Sequence, residues 1–116
     1  MAGANGGVTS GVGVPTKWRV AVVGEDMKGR VLPYARELEA RGFRVETFRP
    51  SRGLSLSEAL EENAQWVRNL RAEGVPIFDI GPSPLRPMYP GPTSPVYARE
   101  LQEVAGYWNY WRLWRP

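Results

Sequence analysis

Residues 18–48 read WRVAVVGEDMKGRVLPYARELEARGFRVETF, and this stretch decides the fold. The apolar run 18–23 ends at Gly24, which is typical of a buried strand covered on both faces. Apolar side chains then recur at helical spacing as far as Gly42, where a helix is expected to end. Residues 43–48 alternate in polarity and are rich in strand formers. The stretch therefore predicts two parallel strands joined by a helix in a right-handed crossover.

The same alternation of helix and strand continues downstream. Ser55 and Glu58 form a capping-box pattern that opens a longer helix, and Gly74 is placed to close it. A third apolar strand is predicted over residues 75–80. The Pro-rich residues 81–95 are predicted to form a loop without regular structure.

The end of the chain completes a layered sandwich. Ser94 followed by Pro95 predicts the start of a last helix, and the aromatic residues 107–114 can add an edge strand. We therefore expect an α/β fold of the Rossmann-like type, a three-layer sandwich with a short, mainly parallel sheet. Residues 17–116 are predicted to form this single domain, and the Gly-rich residues 1–16 a flexible leader.

The composition excludes several kinds of chemistry. The 116 residues include no cysteine and no histidine. Disulfides, zinc sites built from thiolates or imidazoles, thiol nucleophiles and Ser-His triads are therefore excluded. Catalysis has to rest on carboxylates, hydroxyls, Lys or Arg, or on a hard metal ion held by carboxylate oxygens.

The charged residues form no continuous patch in the sequence. The 15 basic and 12 acidic residues are scattered, so nucleic acid is not the favoured partner. Arg30, near the start of the first helix, is expected to face solvent, and contact with an anion is the alternative. The sequence has no apolar stretch long enough for a membrane span and no signal peptide. We expect a cytoplasmic protein, or one delivered into a target cell by a specialised secretion system.

Acidic residues follow the first strand and end the third. Ligands of open parallel sheets bind beyond the carboxyl ends of the strands, where Gly24, Glu25, Asp26, Asp79 and Gly81 are predicted to lie. Asp79 directly follows an apolar run, and burying its charge is costly unless it holds a ligand or a catalytic partner. A turn-forming role for Asp79 is the alternative. Helix capping is an alternative explanation for Glu25 and Asp26.

Two helices supply further candidates. Asn63 interrupts the apolar stripe of the longer helix, and a buried amide needs partners. Tyr97 and Glu100 lie three residues apart on one face of the last helix, with Ser94 at its start. These groups are predicted to form the third wall of a pocket beside Asp79, whose other two walls are the ends of the first and third strands. Alternatively, Asn63 bridges helix to strand, Tyr97 packs in the core and Glu100 pairs with an arginine.

Five aromatic residues crowd the last part of the chain. Trp108, Trp111 and Trp114 stand there with Tyr107 and Tyr110. Trp and Tyr are common both in protein interfaces and on surfaces that stack nucleobases. We expect part of this cluster to cover the sheet edge and the core, and the remainder to face a partner.

Four short stretches resemble modules at the C-termini of bacterial polymorphic toxins, including RHS-repeat proteins. They are VVGED at 22–26, NAQW at 63–66, IFDIGP at 77–82 and SPVYARE at 94–100. The resemblance covers roughly residues 18–105. It implies a secreted effector whose polar residues converge on a pocket, with a cognate inhibitory (immunity) protein as a partner. The fold and the residue types are also similar to nucleoside deoxyribosyltransferase-type enzymes, which cleave N-glycosidic bonds through a carboxylate.

The leading hypothesis is an enzyme acting on a nucleotide or nucleoside-type small molecule without a cofactor. Its predicted catalytic residues are Asp79, Glu100 and Tyr97, and its predicted substrate-binding residues are Gly24, Glu25, Asp26, Asn63, Gly81 and Ser94. One alternative is a metal-dependent nuclease in which Glu25, Asp26 and Asp79 hold Mg²⁺. Another is a non-catalytic module that binds a protein through its Trp-rich tail.

Overall fold

The computed structural model describes residues 18–84 and 94–114, which contain four strands and three α-helices. The predicted leader, residues 1–16, and most of the Pro-rich loop lie outside the described residues. The strands are β1 (Trp18–Val23), β2 (Phe43–Glu46), β3 (Ile77–Asp79) and β4 (Tyr110–Arg112). The helices are α1 (Leu32–Ala40), α2 (Leu56–Ala72) and α3 (Pro95–Val104).

The four strands form one parallel sheet in the order β2-β1-β3-β4. Strands β1 and β3 are central, and the register pairs Val23 with Asp79 and Asp79 with Arg112. This arrangement confirms the predicted Rossmann-like α/β sandwich. The edge strand predicted from the aromatic tail is present as β4, and it too is parallel.

Alternate residues of the strands face opposite layers. On one face, β1 packs against α1 through a cluster comprising Val20, Val22, Val31, Leu38 and Ile80. On the other face, it packs against α2 and α3 through Ala21, Val23, Val67, Leu70, Val75, Ile77, Val104 and Tyr107. Two helices therefore cover one face and one helix the other. This division leaves the carboxyl ends of β1 and β3 beside α3.

Local signals explain where the helices begin. Ser55 Oγ accepts from the Glu58 amide at 3.2 Å, and the Glu58 carboxylate accepts from the Ser55 amide at 2.9 Å, so the predicted capping box is confirmed. A π-helical turn, Met27–Val31, precedes α1. It begins after Asp26, whose φ of 69° is left-handed and whose carboxylate accepts from the Gly29 amide.

Strands β2 and β3 are shorter than predicted. The third strand begins at Ile77 rather than residue 75, because the Val75 amide bonds to Leu70 at the end of α2 and Pro76 has no amide hydrogen. The second ends at Glu46, two residues before Phe48. No helix in the described part of the chain is long and apolar enough to cross a membrane.

Candidate active site

Asp79 lies at the carboxyl end of β3 and is fully buried on the face covered by α2 and α3. Its Oδ1 atom accepts from the Tyr97 hydroxyl at 2.9 Å and from the Gly81 amide at 2.8 Å. Its Oδ2 atom accepts from the Tyr110 hydroxyl. Three donors thus satisfy a carboxylate that water cannot reach, which makes its burial tolerable.

The two phenols at Asp79 are held in their neutral, donating form. Burial and the neighbouring Asp79 charge raise the pKa of Tyr97. Burial and the hydrogen bond to Asp79 likewise raise the pKa of Tyr110. The sequence indicated Tyr97 as a site residue but not Tyr110, since only the β3–β4 register, which pairs Tyr110 with Ile77, shows that Tyr110 faces this side.

Glu100 is a second buried carboxyl on the same face of the sheet. It is 2% exposed, and its Oε2 atom accepts from Asn63 Nδ2 at 2.9 Å. Burial raises the pKa of Glu100 to about 8, the bond from Asn63 opposes the rise, and the Asp79 charge adds to it. Glu100 is therefore mainly protonated at neutral pH.

Asn63 connects α2 to α3 rather than a helix to a strand. Its side chain is fully buried, and its Oδ1 atom has no hydrogen-bond partner among the described residues. Within the described part of the chain, Glu100 bonds to this amide and not to an arginine, which one alternative had expected. A buried carbonyl oxygen without a donor is costly, so a donor from a ligand or water would stabilise it.

A cavity of about 220 Å³ opens where β1 ends. It is lined by Gly24, Asp26, Met27, Phe48, Pro50, Ser94, Val96, Tyr97 and Glu100. Five of the nine predicted site residues are therefore in its walls. Asp79 lies behind Tyr97 and Asn63 behind Glu100, each joined to that wall residue by a hydrogen bond.

A second hollow lies at the opposite edge of the sheet. It measures about 330 Å³ and is lined by Trp18, Arg41, Gly42 and Phe43. Its lining, as far as residues 18–84 and 94–114 form it, contains no carboxylate and none of the predicted site residues. Although it is the larger of the two, it lacks the groups for acid–base chemistry that the cavity beside Glu100 contains.

Glu25 and Asp26 have different roles although they are neighbours. Asp26 caps the turn before α1 through the Gly29 amide, as the capping alternative predicted. Glu25 is buried, and its carboxylate accepts from the Ser83 amide at 2.8 Å and from the Ser94 amide at 3.0 Å. Glu25 therefore connects the end of β1 to one residue near each end of the Pro-rich loop and fixes the start of α3.

Arg30 is not on a solvated face, and that expectation was wrong. It is partly buried, and its guanidinium donates to the carbonyl oxygens of Glu25, Ile80 and Gly81 at 2.9–3.1 Å. Backbone carbonyl groups beyond the end of a strand have no partner in the sheet and need another hydrogen-bond donor. A planar guanidinium can donate to several of them at once. Arg30 thus joins the segments that follow β1 and β3.

The three carboxylates of the nuclease alternative do not converge. Glu25, Asp26 and Asp79 each accept from at least one backbone amide, at different places along the edge of the sheet. Within residues 18–84 and 94–114, no group of three or more acidic side chains is placed to hold a metal ion.

The aromatic tail divides as expected between core and surface. Tyr107 packs in the core, and Tyr110 reaches Asp79. Trp108 and Trp111 point outward, at 78% and 54% exposure. Trp114 lies against Gly81, next to the site.

Comparisons of this chain with protein-family models, with curated proteins and with solved structures found no match. The resemblance to toxin modules stays a prediction from the sequence.

Proposed function

We propose that this chain is an enzyme that cleaves or transfers the N-glycosidic bond of a nucleotide or nucleoside-type small molecule. One observation carries the proposal: Glu100 is a buried carboxyl with its pKa raised to about 8, and it lines a cavity of about 220 Å³. A carboxyl that keeps its proton at neutral pH inside a cavity is suited to general acid catalysis.

The reaction balances with Glu100 as proton donor. The bond between the anomeric carbon and the base nitrogen breaks, its electron pair goes to the base, and the Glu100 proton neutralises that nitrogen. Water then adds its oxygen to the oxocarbenium-like sugar and returns a proton to the Glu100 carboxylate. In a transfer reaction, a second base takes the place of water.

The neighbours of Glu100 support this role. The Tyr97 hydroxyl donates to the buried Asp79 carboxylate, which leaves the phenol oxygen electron-rich beside a cavity where positive charge develops on the sugar. Asn63 fixes one oxygen of Glu100 through its amide. In this proposal Asp79 and Asn63 are positioning residues, because each reaches the cavity through the wall residue that it binds.

The remaining walls suit a flat ring. Phe48, Met27 and Val96 give the cavity an apolar side. Phe48 is itself held by Trp66, with the ring centroids 5.8 Å apart. An aromatic side chain and an acid in the lining of one cavity are the combination that would pack against a nucleobase and protonate it.

The test measures release of free base from a panel of purine and pyrimidine nucleosides and nucleotides by liquid chromatography. Wild-type protein is expected to release base, and E100Q to be at least about 100-fold slower, since a positioned acid contributes 10²–10⁴-fold. E103Q is the control, because Glu103 lies on the same helix but pairs with Arg68 and Arg99. No release by the wild type, or equal release by E100Q, would contradict the proposal.

The cellular role proposed with this activity is that of a bacterial toxin effector. Its support is the sequence resemblance, which also implies an inhibitory partner protein. Expression inside bacteria is expected to arrest growth for the wild type and for E103Q but not for E100Q. Growth equal to that of cells with an empty vector would contradict the toxin role and leave the chemical proposal to the base-release assay.

A further inference from the structure

Helix α1 and strand β2 enclose a small hollow on the face of the sheet that α1 covers. This space, the α1–β2 hollow, measures about 120 Å³, and none of its described lining residues lines the cavity beside Glu100. One short segment after β2 contributes to both spaces. Thr47 and Arg49 line the hollow. Phe48 and Pro50, which alternate with them along the chain, line the cavity.

Two arginines from different elements line the α1–β2 hollow. Arg36 lies on α1 one helical turn after Leu32, so both residues are on the same side of the helix. Arg49 follows Val45 and Thr47 at intervals of two residues, and all three line the opposite wall. In the described part of the chain, neither guanidinium takes part in a hydrogen bond or an ion pair. Their donors are therefore available to a ligand.

The side chains around the hollow match the chemistry of a phosphate group. A guanidinium is planar and can donate to two phosphate oxygens at once, and here two of them share one space. The Thr47 hydroxyl can donate to a further oxygen. Leu32, Ala35 and Val45 give the hollow an apolar side, which strengthens the attraction between charges inside it.

Glu39 also lines the hollow and opposes this attraction in part. Two arginines and one carboxylate leave the described lining with a net positive charge. Glu39 lies near the turn that joins α1 to β2, whereas Arg49 lies beyond the far end of β2. A phosphate group can therefore bind Arg49 away from Glu39, and the carboxylate lowers the affinity for the anion without preventing its binding.

The volume of the hollow suits one phosphate group rather than a whole nucleotide. At roughly 30 Å³ for each water molecule, the hollow has room for about four of them. A phosphate group, with four oxygens on one phosphorus, replaces about that number. Sites that bury drug-sized ligands measure roughly 300–1,000 Å³. The rest of a larger phosphorylated molecule would extend out of the hollow into solvent.

From these observations we propose that the α1–β2 hollow binds a phosphate group between Arg36 and Arg49. The group is the dianion that inorganic phosphate and phosphomonoesters have in common. This site goes beyond the proposed function, because it does not involve Glu100 or the cavity that Glu100 lines. Base release by the protein neither supports nor contradicts it.

The test is an NMR titration of the full chain with inorganic phosphate, at an ionic strength kept constant with chloride. The amide signals of Arg36, Thr47 and Arg49 are expected to shift and to saturate. R36Q and R49Q are each expected to weaken binding at least about fivefold, since each removes charge-assisted hydrogen bonds. Both arginines are exposed, so these variants are expected to keep the fold, which their amide spectra check.

Two further variants make the test specific to the hollow. R44Q is the matched control, because Arg44 lies on β2 between Phe43 and Val45 and so faces the other side of the sheet. It removes the same charge and is expected to leave the dissociation constant unchanged. E39Q removes the opposing charge and is expected to strengthen phosphate binding at least about twofold.

The outcomes decide whether the hollow is a phosphate site. Signals that do not saturate, or equal weakening by R36Q, R49Q and R44Q, would show only a general attraction of anions to the surface and would overturn the proposal. Weaker binding by E39Q would overturn it as well. Methyl phosphate is titrated in parallel to identify the source of the group. Binding at least as tight as that of inorganic phosphate supports a phosphomonoester ligand, and weaker binding supports inorganic phosphate itself.

Discussion

Asp79 and Glu100 are buried on the same face of the sheet, yet their surroundings differ in kind. Asp79 accepts from three donors among the described residues, two phenols and one backbone amide. Glu100 receives one, from Asn63, and lies in the field of Asp79. A low-dielectric site tolerates one charged carboxylate more readily than two. Glu100, the carboxyl with fewer hydrogen-bond donors, therefore keeps its proton. Glu100 is thereby suited to act as an acid.

Substituting Asp79 tests this division of roles. D79N places an amide among three donors, so at least one of them loses its acceptor in the buried interior. We expect the free energy of unfolding to fall by about 1–3 kcal/mol, the usual cost of a buried unsatisfied donor, as measured by urea denaturation. D26N is the matched control and is expected to change the free energy of unfolding by less than about 0.5 kcal/mol, since Asn caps helices as well as Asp. Equal losses in the two variants would contradict the assigned role.

The sequence indicates Asp79 as a site residue but does not indicate all of its hydrogen-bond donors. An aspartate at the end of an apolar strand stands out because its burial demands an explanation, and Tyr97 and Glu100 follow from helical spacing. Tyr110 does not stand out, because its approach depends on the register of β4 against β3. Arg30 was misplaced for a related reason. An arginine is drawn away from solvent when carbonyl groups at the ends of strands lie beside it. The spacing of residues along the chain does not reveal which strand ends lie beside Arg30.

At the scale of elements, the position of α3 determines the site. Strand alternation turns Asp79 toward the face that also carries Ile77, and helical spacing puts Tyr97 and Glu100 on one side of α3. The two sets meet only because α3 packs on that face and Glu25 binds its N-cap residue, Ser94. The sequence predicted each element, but it did not predict the Glu25 connection between β1 and α3, since that contact spans 69 residues.

The junction of β3 and β4 offers a test of element packing. A Cβ added at Gly81 would lie 2.7 Å from the Trp114 ring, and the φ of +86° is unfavourable for any side chain. G81A is therefore expected to lower the free energy of unfolding by more than the roughly 1 kcal/mol of the backbone cost alone. G53A measures that backbone cost, because Gly53 has a φ of +77° and nothing within 4 Å of an added Cβ.

The contribution of the clash with Trp114 can be measured separately from the backbone cost by a double variant. The double variant G81A/W114A is expected to lose less stability than the sum of its single variants, because the clash is absent once the ring is removed. Urea denaturation followed by circular dichroism measures all four proteins, so that the loss of a tryptophan does not affect the signal. Strict additivity, or equal losses for G81A and G53A, would show that Trp114 does not rest on Gly81.

For the whole molecule, the crossover rule explains where the helices lie. Connections between parallel strands are right-handed as a rule. The chain moves from β1 to β2 in one direction and from β2 through β3 to β4 in the other. Helix α1 is therefore on one face and α2 and α3 on the other. The sequence predicts this layering because apolar runs alternate with helical periods. It does not predict the cavity, whose described walls come from three separate segments of the chain.

The free energy of unfolding of the whole molecule is expected to depend on the protonation of Glu100. Its pKa is about 8 in the folded protein against 4.5 as the ordinary value, so the folded state binds the extra proton between these pH values. The stabilisation is complete below pH 4.5 and is lost as the pH rises toward 8, with a slope of at most about 1.4 kcal/mol per pH unit. Glu58 and Glu62 have lowered pKa values and act in the opposite direction, but below pH 4.5.

Urea denaturation at intervals from pH 5 to pH 9 measures this slope. The wild type and E37Q, which removes an exposed carboxylate, are expected to lose stability with rising pH up to about pH 8 and then to level off. E100Q carries a side chain of nearly the same shape that cannot ionise, so its profile should be flat over this range. Because Gln also preserves the contact with Asn63, E100Q is expected to exceed the wild type in stability at pH 8 and above. A decline of the same slope in E100Q would show that another group titrates there and would remove the basis for Glu100 as the acid.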